Sequence, residues 1–157
     1  MLAGEASLVI NASADTLYDM VSDITRMGEW SPENRGGKWL KGATHAEPGA
    51  RFRGNNKRGL ARWPTTCEIV SADRGKRFAF DVLIAGRHYT RWAYDFEPAG
   101  DGATKVTESH KQMFMLPASQ FIWKVVLTSP DRQQVLIEGM NDTLAKLKKA
   151  AEGQASS

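Results

Sequence analysis

Glu108 and His110 stand two residues apart in "TKVTESHKQMFM", and on a strand that spacing sends both side chains to one face, roughly 6 to 7 Å apart. If Val106 faces the core, period two carries Glu108, His110 and Gln112 to the same side. The preceding run "RWAYDFE" collects Trp92, Tyr94 and Phe96 on one face, and His88 by the same parity. An acid and an imidazole set among aromatic rings invite two kinds of chemistry. Burial raises a glutamate pKa and lowers a histidine pKa, unless the two form an ion pair that opposes both shifts. Such a pair can move protons on an enolisable substrate, or it can orient a bound ligand without reacting. A polar rim, or a hydrogen-bonded pair that orients Tyr94, is the reading without chemistry. That structural reading ranks first, ligand contact second and catalysis last, and a bulge between Lys105 and Gln112 would turn both groups into water.

Other residues carry weaker signals. "RFRGNNKRGLAR" holds Arg51, Arg53, Lys57, Arg58 and Arg62, a pattern suited to an anionic headgroup, a coenzyme A phosphate or a carrier protein. A solvated outer face explains the alternation of Arg51, Phe52 and Arg53 more simply. Phe52, Gly54 and Asn56 share the inward parity, so Gly54 permits close approach or marks a bulge, and Asn56 offers a hydrogen bond inside. Trp30 and Trp39 suit either a cavity mouth or a plug at the end of the core; the plug is favoured for Trp30. His45, His88 and His110 lack metal-site spacing, and Cys67 is the single cysteine, so no metal is expected. Ser129 before Pro130 reads as a helix cap rather than a nucleophile. Neither a Walker nor a G-x-G-x-x-G pattern occurs, and no nucleotide or other cofactor is expected.

The elements that must position these residues follow from periodicity. A first strand over residues 5–11 places Ala6, Leu8 and Ile10 on one face. "SADTLYDMVSDI" predicts a helix capped by Ser13, with Asp15 at its positive end and Leu17, Met20, Val21 and Ile24 recurring at helical spacing. "TRMGEWSPENRGG" breaks it. From Lys38 to Met113 short strand-like runs alternate with turn chemistry, which predicts an antiparallel sheet. After Pro117, "ASQFIWKVVL" is apolar almost all round and should be buried, packed as a lid or shared with a partner. A final amphipathic helix then carries Leu136, Met140, Leu144 and Leu147 on one stripe, with Gly139 as a weak point, a bend or a close contact. At 157 residues with 41% hydrophobic and 25% charged, one domain over residues 1–151 with a core and a modest cavity is expected, followed by a frayed tail at 152–157. The net charge of +3 is far from the dense positive field of a nucleic-acid binder. The lone cysteine suits a reducing compartment, and neither a signal peptide nor a spanning segment is visible, so a cytoplasmic location is expected.

"VSDITRMGEWSPE", "RWPTTCEIVSADRGKRFAFDV" and "RWAYDFEPAGDGATKVTES" together resemble the polyketide cyclase/dehydrase-like branch of the START and birch-pollen-allergen (SRPBCC) superfamily, from about Val9 to the last helix. The resemblance implies an α+β helix-grip fold: a curved seven-stranded antiparallel sheet around a long C-terminal helix, two short helices after the first strand, and a hydrophobic cavity between sheet and helix. It implies binding or transfer of a lipid or polyketide, with aromatic-ring cyclisation or dehydration in some members, and it carries over no catalytic residue. The expected cavity lining is Phe52, Phe78, Phe80, Trp92, Tyr94, Leu136 and Met140, with Asn56, Glu108 and His110 as the orienting polar groups. The alternatives are a cyclase/dehydrase enzyme using Glu108 and His110 as an acid/base pair, and an interaction module dimerising through "FIWKVVL". A hydrophobic small molecule is the expected partner. Nucleic acid and stable membrane insertion are not expected, and the oligomeric state stays open.

Overall fold

The structure, a computed structural model, describes residues 2–114 and 131–155. The alternation in "AGEASLVI" builds β1 (Ala3–Ile10), with Ala6 and Ile10 turned inward. Helix α1 (Ala14–Ser22) starts where the Ser13 hydroxyl accepts the Thr16 N–H at 3.1 Å. It buries Leu17, Tyr18, Met20 and Val21. Asp23 then caps a 3-10 turn over Ile24–Glu29, which closes one end of the core with Trp30 beneath it, only 2% exposed.

Six further strands follow: β2 (Asn34–Trp39), β3 (Arg51–Arg58), β4 (Ala61–Asp73), β5 (Arg77–Ile84), β6 (Arg87–Pro98) and β7 (Thr104–Gln112). They join β1 in one antiparallel sheet of order β1-β7-β6-β5-β4-β3-β2. Strand β2 begins at Asn34, whereas the strand-like pattern in the sequence begins at Lys38. Its Gly36 and Gly37 carry no alternation because the 3-10 turn lies against them: a Cβ on Gly37 would sit 2.7 Å from the Ile24 carbonyl oxygen.

The final helix, α2 (Arg132–Ala155), packs on β1, β7 and α1. Its buried stripe is Met140, Leu144, Leu147 and Ala151. Gly139 faces Pro32, where a Cβ would meet Pro32 Cγ at 3.4 Å, an ordinary van der Waals contact. Helix α2 continues to Ala155, past the point where composition predicts fraying. Glu152 holds that end by accepting the Asn11 N–H at 3.0 Å and pairing with Lys148 at 2.6 Å. The Ser129–Pro130 start signal and the "ASQFIWKVVL" segment lie outside the described residues. The architecture is the α+β helix-grip expected from the sequence.

Candidate functional site

The β6–β7 hairpin sets the site. Its register runs without interruption from Thr90↔Gln112 to Pro98↔Thr104, so Glu108 and His110 both point inward, 4% and 2% exposed. Two cross-strand pairs result. Tyr94 stands opposite Glu108 and donates its hydroxyl to Oε1 at 3.0 Å. Trp92 stands opposite His110, their ring centroids 5.2 Å apart.

These surroundings dictate the protonation states. Burial pushes the Glu108 carboxyl up to about 8, against a smaller opposing effect of the Tyr94 hydrogen bond. Burial lowers the His110 pKa, and the nearby Arg132 charge lowers it further. The shifts are those of two separately desolvated groups, not of an ion pair. Near neutral pH Glu108 is therefore a carboxylic acid and His110 a neutral imidazole. Among the described residues, Glu108 Oε2 and both His110 ring nitrogens are buried without a hydrogen-bond partner. With Oε1 occupied as an acceptor, Oε2 is left to carry the proton, and an acid O–H and an imidazole remain with unused hydrogen-bonding capacity.

Both groups border a cavity of about 1140 Å³ between sheet and helix. Phe52, Asn56, Phe80, Trp92, Tyr94, Leu136 and Met140 also contribute to its wall. Asn56 is partly engaged, donating to the Trp63 carbonyl and to Thr65 Oγ1, each at 3.2 Å. Phe78, expected on this wall, lies a layer behind it. Its inward parity is as expected, but α1 covers that end of β5, and the ring packs between Tyr18 at 6.3 Å and Tyr94 at 6.4 Å. Gly54 is crowded by polar side chains rather than open to a ligand, since a Cβ would meet Thr65 Oγ1 at 2.9 Å.

His88 is a second departure. The β5–β6 register shifts between Val82 and Leu83, and the extra residue on β6 reverses parity before Thr90. Tyr89 thus borders the cavity, and His88 turns to the outer face, its Nδ1 2.8 Å from Asp81 Oδ2. Asp81 is fully buried there. Burial alone would raise its pKa, but hydrogen bonds from Arg91 and His88 outweigh that and hold it low. Arg51 pairs with Glu68 at 3.0 Å on the same face, which accounts for one of the basic residues of β3. Gln112 faces inward with its amide already used, accepting from Leu2 N–H and donating to the Tyr89 hydroxyl and the Phe114 carbonyl.

Sequence reasoning missed Arg132 and Glu33, which form a two-point ion pair on the cavity wall at 2.6 and 2.9 Å. The signal was available for Arg132: it lies four residues before Leu136 and eight before Met140, on the same helical stripe. Nothing in the sequence pairs it with Glu33. Arg58 reaches the same carboxylate at 3.7 Å, leaving its buried Nη1 without a hydrogen bond among the described residues.

Comparison with solved structures returns the same architecture. The chain is similar to the di-domain ARO/CYC StfQ of the steffimycin biosynthetic pathway, with a TM-score of 0.75 at 15% identity over 99% of this chain and 52% of that one. A START superfamily protein from Mycobacterium smegmatis matches with a TM-score of 0.72 and 16% identity, covering 97% of this chain and 98% of that one. A Polyketide_cyc-like protein from Corynebacterium glutamicum is 28% identical, with a TM-score of 0.65 over 98% of this chain and 93% of that one. No curated protein matches the chain. The family model described as "Polyketide cyclase / dehydrase and lipid transport" matches residues 1–152. By that match the chain belongs to the polyketide cyclase/dehydrase and lipid transport family.

Proposed function

We propose that the cavity binds a hydrophobic small molecule bearing a neutral oxygen function, such as a carbonyl or hydroxyl, which Glu108 and His110 orient. The carrying observation is the pairing of an aromatic wall with buried, unpartnered atoms on these two residues. Leaving such atoms unsatisfied costs about 1–3 kcal/mol each. A ligand oxygen recovers that energy by accepting from Glu108 Oε2–H and bonding the imidazole. A carboxylate ligand is disfavoured beside Glu108, because ionising the protein acid would place two negative charges together.

Titration with an environment-sensitive apolar fluorophore tests the reading. Saturable one-to-one binding is expected, and Leu136→Trp, which puts an indole into the cavity, should weaken it at least about tenfold without loss of the folded state. Unchanged affinity in Leu136→Trp would place the probe elsewhere and remove this support.

Cyclase/dehydrase chemistry is the second reading, favoured by one specific observation: a carboxylic acid and a neutral imidazole on one wall are a proton donor and a proton acceptor at the same pH. Glu108→Gln and His110→Gln separate the two readings. An enzyme retains binding and loses turnover by about 10²-fold or more. A binding module shows no turnover to lose.

A further inference from the structure

We propose that the β3–β4 hairpin is a docking finger that seats the cavity rim on a bilayer surface carrying anionic phospholipid. Three independent features of the finger converge on that partner.

The first is its projection. Pairing between β3 and β4 runs out to Arg58↔Ala61. The β2 register ends at Asn34↔Asn56, and the β5 register begins only at Thr66↔Leu83. On its β4 side the hairpin therefore extends roughly 15 Å past the neighbouring strand.

The second is its apex. Leu60 is 102% exposed, while the next most exposed large hydrophobic side chain described, Val9, is at 49%. A fully solvated leucine at the tip of a ribbon contributes nothing to the core.

The third is charge. No acidic residue occurs between Glu47 and Glu68. Register places Lys57 directly opposite Arg62, and like charges so placed repel. Neither has a salt-bridge partner among the described residues. An apposed anion relieves that repulsion.

An aliphatic tip between cations matches the headgroup–acyl boundary, where the leucine enters the apolar layer and the cations meet phosphates. Nucleic acid fits less well, because no aromatic ring stands at the apex to stack on a base. The same hairpin supplies Lys57, Arg58, Gly59, Trp63 and Pro64 to the cavity wall, so docking brings the rim to the lipid. It does not depend on which molecule the cavity holds.

Vesicle flotation of the full chain tests this, with vesicles of phosphatidylcholine alone against a three-to-one mixture of phosphatidylcholine and phosphatidylglycerol. The protein should float with the mixed vesicles at low salt, not with phosphatidylcholine alone, and should be released at high salt. Arg62→Glu should weaken binding at least about fivefold, and Leu60→Asp about tenfold. Both positions are exposed, so thermal unfolding should match the wild type. Failure to float with the mixed vesicles at low salt would overturn the proposal. So would flotation that Leu60→Asp leaves unchanged, which assigns the surface to polyanions in general.

Discussion

A carboxyl enclosed by rings gives up its proton reluctantly, and Glu108 pays that reluctance back as pH dependence. Its pKa in the fold is about 8 against an ordinary 4.5. Between those values the unfolded chain has released the proton and the folded chain has kept it. Glu108 therefore costs least below about pH 4.5, and stability falls as pH rises through the window to about 8. The full effect is on the order of 3–5 kcal/mol for a fully enclosed group. Glu108→Gln keeps the shape and the polarity but cannot ionise. Urea unfolding from pH 5 to pH 9 should show the variant gaining on the wild type as pH rises. A stability difference that is flat with pH would mean that Glu108 titrates alike in both states. Ligand affinity should also fall above about pH 8, as the O–H donor is lost. On the outer face, Asp81 is enclosed beside Arg91, with bonds at 2.8 and 2.9 Å. Replacing it by alanine removes those charge-assisted bonds while the half-exposed Arg91 guanidinium stays solvated, and a loss of about 1–3 kcal/mol is expected in thermal unfolding.

At the scale of elements, the readable strands were those with one wet face and one buried face. In β6 and β7 strict alternation gave both the hairpin and the inward parity of Glu108 and His110, because no extra residue interrupts the register there. Strand β2 was legible only from Lys38, since Gly36 and Gly37 carry no side chains to alternate. The bulge at the start of β6 left no composition signal either. One added residue moved His88 outward and Tyr89 inward. Phe78 has the inward face that parity predicts but packs behind the cavity wall, because parity does not tell which part of a sheet face a helix covers. The glycine pair gives a sharp test. Gly37→Ala forces a methyl against the Ile24 backbone, and equilibrium unfolding should report a loss of about 1–3 kcal/mol. No measurable loss would mean that the 3-10 turn moves away from β2 freely.

Over the whole molecule, a seven-stranded sheet and one long helix enclose a cavity that the side chains of the described residues leave unfilled. Family membership agrees with a cavity used for hydrophobic ligands or for cyclisation chemistry. Among the described residues no helix is long and apolar enough to cross a bilayer. The element order was legible in the sequence because the apolar period changes from two to near four at the last helix. The Arg132–Glu33 pair on the cavity wall was not, since it joins residues far apart in the chain that no local pattern relates. Native mass spectrometry of the protein purified from its own host is the most direct measurement. Binding predicts a retained small molecule with an apolar body and a neutral oxygen function, lost from Leu136→Trp. A protein that carries no adduct, and takes up no apolar probe in its cavity, would contradict it.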